Sequence, residues 1–312
     1  MPALQKSISF ANRVMIFLND KPGQLCNQLW YQAPLIARAL KYNTTLISLY
    51  FEDNIHLFEN VNRYPRIKFG FTRVNFVDIY IRKFTLNLVR QLPNKLLEII
   101  NIKVDKERWR NEIWSEEEFE HKKLMFFTGN GTRRNDVKLL AEFHQEISNI
   151  FSPNKKSINK VLLAFSQMPK ESVIVGVHIR RGDYDIFFNG LYYFGNNIYS
   201  EYMSQIQAMF DKQNQSVTFL ICSNEKIDLA NFHTFKTFKI KNANSIEDLY
   251  GLSICNYIIG PPSTFSMWAS FIGKVPLRFL KYKNEQINLQ DFSIITAQDT
   301  FANGSIFEHV EA

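Results

Sequence analysis

Short unbroken apolar runs bounded by turn residues alternate along this chain with longer stretches in which apolar positions recur every three or four residues. That pattern predicts buried strands alternating with amphipathic helices. The first run, Arg13-Val14-Met15-Ile16-Phe17-Leu18, reads as a strand and leads into the turn signal Asn19-Asp20-Lys21-Pro22-Gly23. Leu29, Trp30, Ala33, Ile36, Ala37 and Leu40 then follow a helical period, predicting a helix from Asn27 to Lys41, and Asn43-Thr44 closes it before a strand from Thr45 to Tyr50. Strand, turn, helix and strand in that order make a βαβ unit.

The second half repeats the alternation more clearly. After the Ser152-Pro153-Asn154-Lys155-Lys156 cluster, a helix runs to Met168 and a strand rich in β-branched residues spans Ser172 to Arg180. A helix over Tyr199 to Asp211, a strand over Val217 to Cys222 and a helix over Ser245 to Ser253 follow. The series ends with a strand over Asn256 to Gly260 and a helix over Thr264 to Ile272. Such a series predicts a doubly wound, mostly parallel sheet. Between Asn54 and Asn149 few clean alternations occur, and Glu116-Glu117-Glu118 and Arg133-Arg134 interrupt them. This stretch is expected to be a helical elaboration of the first half. A chain of 312 residues exceeds the usual single core, so two α/β domains are expected, 1–165 and 166–312, facing a cleft.

Composition changes the picture little. The 28 Phe and 13 Tyr predict a core built from rings. Lys and Arg exceed Asp and Glu by 37 to 30, a net +7, which suits a phosphorylated small substrate, an anionic membrane surface or nucleic acid, and equally a basic surface with no partner. The aromatic residues are spread throughout rather than interleaved in a basic stripe, and no helix-turn-helix or RNP-like pattern occurs, which argues against a nucleic-acid partner. Cys26, Cys222 and Cys255 stand in apolar contexts without CxxC spacing. They read as free buried thiols of a reducing compartment, and no metal site is expected. The first residues lack a signal-peptide core or a spanning helix, predicting a cytoplasmic protein. The stretch Ile79 to Lys103 mixes Arg82, Lys83, Arg90 and Lys95 with apolar residues around Pro93. It reads as a core helix with a basic outer face, and is compatible with peripheral contact on the inner membrane.

Candidate chemistry sits at three strand ends of the second half, where a parallel sheet binds its ligands. His178-Ile179-Arg180-Arg181-Gly182-Asp183 places two guanidiniums at the first end, and an arginine fork matches phosphate oxygens. The alternative is that Arg180 and Arg181 pair only with Asp183 and Asp185. Ser223, Asn224 and Glu225 follow the second end and suit a base or ribose, or a simple helix cap. At the third, Ser263-Thr264-Phe265-Ser266 opens a helix whose free N–H groups attract phosphate, although Ser and Thr there also cap ordinary helices.

Together these segments resemble the α-1,2-fucosyltransferases, and more distantly the α-1,6- and protein O-fucosyltransferases. His178, Arg180, Arg181, Asp183 and Tyr184 match an HxRRxDY motif, and Ser223-Asn224-Glu225 is similar to a Ser followed by acidic or amide residues. Asp248-Leu249 through Ser253 and Cys255, Ile258-Ile259 and Ser263-Thr264-Phe265-Ser266-Met267-Trp268 match a third motif. Gly23-Gln24-Leu25-Cys26-Asn27-Gln28 resembles a GGLGNQ loop. Gln24 and Cys26 replace glycines there, Met267 replaces Trp, and Asn224 stands where Asp is commoner. The stretch 54–149 carries no resemblance.

The resemblance implies a GT-B-like, metal-independent enzyme, without a cofactor, that moves fucose from GDP-fucose to a galactoside hydroxyl with inversion. It implies Arg180, Asp183 and His178 as catalytic residues. Arg180, Arg181, Ser223, Asn224, Glu225, Ser263, Thr264, Phe265, Asn27 and Gln28 are implied as donor-binding residues. Asp183 or Glu225, with Asp53 as an outsider, are candidate proton acceptors, and His178 equally suits a supporting role. A chain of this kind resembles a bacterial enzyme that decorates an oligosaccharide or a lipid-linked glycan. A different nucleotide-sugar donor, prompted by Asn224, and a non-catalytic glycan-binding relative are the competing readings.

Overall fold

The computed structural model describes residues 15–18, 21–61, 63–70, 88, 91–99, 102–105, 124–127 and 136–305. They divide into two compact units, Met1–Phe151 and Ser152–Ala312. The division precedes the 165/166 boundary expected from the sequence because helix Lys155–Ser166 belongs to the second unit. Asn154 caps that helix by accepting from the Ser157 N–H at 2.9 Å, and Lys160 donates to Glu247 Oε2 at 2.6 Å and to the Asn242 carbonyl at 2.7 Å.

The first unit holds a five-stranded sheet in the order β3-β2-β1-β5-β4. Its strands are β1 Met15–Leu18, β2 Thr45–Ser48, β3 Ile67–Phe69, β4 Ile102–Asp105 and β5 Leu124–Phe127, all parallel to their neighbours. Helix Leu25–Lys41 crosses from β1 to β2 as the apolar period predicts, starting two residues earlier than Asn27. The stretch 54–149 departs from the helical expectation. It supplies β3, β4 and β5 as well as helices Asn94–Ile99, Val137–Glu142 and His144–Ile150. Strands of three or four residues are too short for a period of two to show. The basic stretch Ile79 to Lys103 lies largely outside the described residues, so its amphipathic reading goes no further.

Aromatic rings form the core of this unit, as the Phe count suggested. Phe51 lies 5.2 Å from Phe69, 5.9 Å from Phe58 and 6.0 Å from Phe151 between ring centroids, distances at which offset and edge contacts are favourable.

The second unit holds a parallel sheet in the order β10-β9-β6-β7-β8. Its strands are β6 Val173–Ile179, β7 Val217–Ser223, β8 Thr237–Phe238, β9 Tyr257–Gly260 and β10 Leu277–Phe279. A small antiparallel sheet follows, β11 Ile295–Ala297, β12 Thr300–Phe301 and β13 Gly304–Ser305. Strand β6 is buried on both faces, which explains its unbroken apolar character. Val175, Val177 and Ile179 pack into the cluster formed by Tyr199, Tyr202, Met203, Ile206 and Phe210 of helix Asn196–Asp211. His178, of opposite parity, meets Phe265 of helix Thr264–Gly273 on the other face.

The chain leaves β6 in one direction toward β7 and β8, then returns to the other side of β6 for β9 and β10. The gap beyond the carboxyl ends of β6 and β9 is therefore the topological switch point, where doubly wound sheets bind ligands. The three cysteines are free and buried. Among the described residues no helix is long and apolar enough to cross a membrane.

Candidate nucleotide-sugar site

At the end of β6 the alternation of side chains separates the two arginines. Arg180, of the same parity as His178, donates from Nη2 to Asp183 Oδ1 at 2.7 Å, and its guanidinium lies 5.5 Å from the Tyr184 ring centre. The Tyr184 hydroxyl donates to the Pro262 carbonyl at 2.6 Å. The Arg180 side chain is thereby held beside the segment that leaves β9. It keeps 16% exposure while Asp183 keeps 58%, so a largely buried guanidinium is paired with an exposed carboxylate.

Arg181 goes the other way. It donates from Nε to the Phe194 carbonyl at 3.3 Å and from Nη2 to Asn196 Oδ1 at the start of helix Asn196–Asp211. Asn224 accepts from the Arg181 N–H at 2.9 Å and donates to the Arg181 carbonyl at 3.0 Å. This pair of bonds continues the β6–β7 ladder by one rung after the strands end at Ile179 and Ser223. The two arginines that the sequence offered as one phosphate fork thus divide into one beside the switch point and one fastened to the frame. The amide that suited a base contact is occupied by backbone. Ser223 Oγ accepts from the Glu225 N–H at 3.1 Å, an ST-turn that leaves the Glu225 carboxylate on an exposed residue.

At the end of β9, Ser263 caps helix Thr264–Gly273 by accepting from the Phe265 N–H at 3.3 Å. Phe265 lies 5.0 Å from the His178 ring. His178 is only 4% exposed. Burial, aided by the nearby Arg180 charge, holds its pKa down to about 3, so the imidazole is neutral near neutral pH. Its Nδ1 has no hydrogen-bond partner among the described residues. Burial also raises the Tyr184 and Tyr199 hydroxyls above their usual range, keeping both protonated.

In the first unit Gly23 adopts φ +45, a conformation in which most other residues are strained. Gln28, buried in the helix that follows, donates to the Gly23 carbonyl at 3.1 Å and accepts from Asn54 Nδ2 at 2.9 Å. Asn27 packs against Gly23 and is half-buried. Gln24 stands at φ -86 and Cys26 inside the helix, so neither replaced glycine occupies a backbone region that needs one. Asp53 is ion-paired with Lys21.

One acidic residue of the third motif has a role that sequence reasoning missed. Asn244 and Glu247 form a reciprocal capping box on helix Ser245–Ser253. Asp248, next in line, is pushed up to about 7, chiefly by burial and also by the Glu247 charge, against the opposing influence of Cys222, Lys239 and Lys160. A folded-state pKa above the usual 3.8 means that the native state keeps a proton the unfolded chain has lost. Stability is then expected to fall as pH rises from about 4 to 7, by a few kcal/mol at most. Asp248→Asn, which imitates the protonated form, is expected to flatten that slope in urea melts across pH 4 to 8; an unchanged slope would assign it to other groups.

Among the described residues no group of His, Cys, Asp and Glu could hold a metal ion. Residues 143–276 match the model of Glycosyl transferase family 11. No curated protein matches the chain by sequence. Among solved structures, an Arabidopsis thaliana FUT1 mutant in complex with GDP is similar at 10% identity, covering 92% of this chain and 75% of that one with a TM-score of 0.58. The fucosyltransferase NodZ from Bradyrhizobium is similar at 15% identity over 90% of this chain and 96% of that one, TM-score 0.52. NodZ α-1,6-fucosyltransferase soaked with GDP-fucose gives 15%, 90% and 97%, with a TM-score of 0.51. The fold is thus the mixed α/β, GT-B-like class expected from the sequence. The segment holding all three strand ends carries the signature of Glycosyl transferase family 11, as the resemblance of its motifs implied.

Proposed function

We propose that this chain transfers fucose from GDP-fucose to a galactoside hydroxyl of an oligosaccharide, forming an α-1,2 linkage with inversion and without a metal. The observation that carries this reading is the pairing, at the switch point beyond β6 and β9, of Arg180 with the capped start of helix Thr264–Gly273. Both stabilise negative charge, one through a guanidinium and one through the backbone N–H groups and dipole of a helix start. Fold relatives have been solved with GDP and soaked with GDP-fucose, and the family match covers this same segment.

In the proposed reaction the acceptor oxygen attacks the anomeric carbon as the bond from that carbon to the β-phosphate oxygen breaks. The departing GDP takes the electron pair, and Arg180 with the N–H groups after Ser263 holds the charge that develops. Phosphate displaces Asp183 from Arg180, and the released carboxylate accepts the proton of the acceptor hydroxyl. His178, neutral and buried against Phe265, supports the strand end and transfers no proton. Arg181 and Asn224 fix the loop, and Ser223 and Glu225 follow the neighbouring strand end. Because Asn224 is committed to the Arg181 backbone, it supplies little motive for a different base in the donor.

Product analysis tests this reading. With GDP-fucose, lactose and EDTA, the expected product is a fucosylated trisaccharide whose NMR spectrum has an α anomeric proton and a galactose C2 shifted by substitution. A β-linked fucose would remove inversion, and substitution at another carbon would remove the α-1,2 assignment.

A further inference from the structure

The loop that follows the Arg180 segment carries more exposed aromatic surface than the donor reading requires. Phe187 is 43% exposed, Phe188 60% and Tyr193 42%. Their rings continue outward from the arginine: Tyr184 to Phe187 at 5.0 Å, Phe187 to Phe188 at 4.6 Å and Phe188 to Tyr192 at 5.9 Å between centroids. Phe188, Asn189 and Gly190 adopt φ of +47, +55 and +75 in succession. A phenylalanine in the left-handed region is strained, and this one gains little burial in return. Strain retained at a surface loop points to a function.

The loop is also ordered by its own backbone, with Asn189 N–H to the Ile186 carbonyl at 3.1 Å, Leu191 N–H to Phe188 at 3.1 Å and Tyr193 N–H to Gly190 at 3.0 Å. Its charged groups are all acidic. From Gly182 to Phe194 there are two carboxylates and an amide, with no lysine or arginine. An anionic lipid surface would be repelled by such a loop. A hexopyranoside fits it, because a sugar ring offers a flat face of C–H groups to an aromatic ring and a rim of hydroxyls to carboxylates, amides and phenols.

We infer that the Phe187–Tyr193 loop is the platform on which the acceptor sugar stacks, joined to the donor phosphate site by the Arg180–Tyr184–Phe187 contacts. This inference rests on the donor site proposed above, but its test needs no donor. Saturation-transfer NMR of the whole chain with lactose, N-acetyllactosamine and methyl β-galactoside is expected to mark the C–H protons of one galactose face. In Phe188→Gly, where glycine accepts the same φ, half-saturation should rise by about fivefold, the loss of one ring contact. GDP binding to that variant should stay as in the wild type. Absence of saturation with all three sugars, an unchanged response in Phe188→Gly, or loop-dependent sedimentation with phosphatidylglycerol vesicles would overturn the inference. Failure of the wild-type chain to bind GDP would instead remove the donor reading and leave the sugar result to be judged on its own.

Discussion

Arg180→Ala is expected to weaken GDP binding by on the order of 100-fold or more, because a charge-assisted fork to a diphosphate contributes several kcal/mol where the guanidinium is only 16% exposed. The same change should cost the fold about 1–2 kcal/mol, since the ion pair with Asp183, itself 58% exposed, contributes little and the contact with the Tyr184 ring adds a modest amount. Arg180→Lys retains the charge without the planar fork, and its binding should fall between the two. Arg181→Ala should behave in the opposite manner. It removes the bonds to the Phe194 carbonyl and Asn196, so it should lower the melting temperature and weaken nucleotide binding only as far as the loop loosens. Calorimetric titration with GDP, paired with thermal melts of the three variants, separates the two roles. Equal losses of binding in Arg180→Ala and Arg181→Ala would return both arginines to a single phosphate fork.

The largest effect on stability is expected from Gly273→Ala. Gly273 ends helix Thr264–Gly273 against the end of helix Ser245–Ser253, and a β-carbon placed there would sit 1.9 Å from the Ser253 carbonyl oxygen and 2.7 Å from its carbon. Neither atom belongs to a flexible side chain, so backbone must move, at a cost of about 3 kcal/mol. The melting transition of the second unit should fall by about 10 °C. Nucleotide binding should weaken as well, because the displaced helix carries Ser263 at its cap and Phe265 against His178. A melting temperature equal to that of the wild type would mean that the two helices part without cost, and that their packing does not hold the site.

How much of this was legible before folding differs between the halves. In the second unit the strand at Val173–Ile179, its neighbours at Val217–Ser223 and Tyr257–Gly260 and the helix opened by Ser263 follow from apolar runs and turn residues, with ends within a residue or two. In the first unit Ile67–Phe69, Ile102–Asp105 and Leu124–Phe127 were hidden. Each is short and carries no turn signature that distinguishes it from a helical fragment, and their partners lie far off in sequence. At the site, the residues of the three strand ends were identifiable but their division of labour was not. That Arg180 and Arg181 face opposite sides follows from the period of a strand, a signal already present in the sequence. That Asn224 closes a backbone rung could not be read, because an asparagine amide satisfies a base, a ribose or a peptide equally well. The burial that raises Asp248 was likewise invisible, since a first-turn acid normally lies in solvent at a helix start.

The central claim is tested most directly by titrating the wild-type chain calorimetrically with GDP, GDP-fucose, GDP-mannose and UDP-galactose in EDTA. Micromolar binding of GDP and GDP-fucose, with UDP-galactose weaker by at least an order of magnitude, is the predicted result. Selective binding of UDP-galactose, or binding of none of the four, would contradict it.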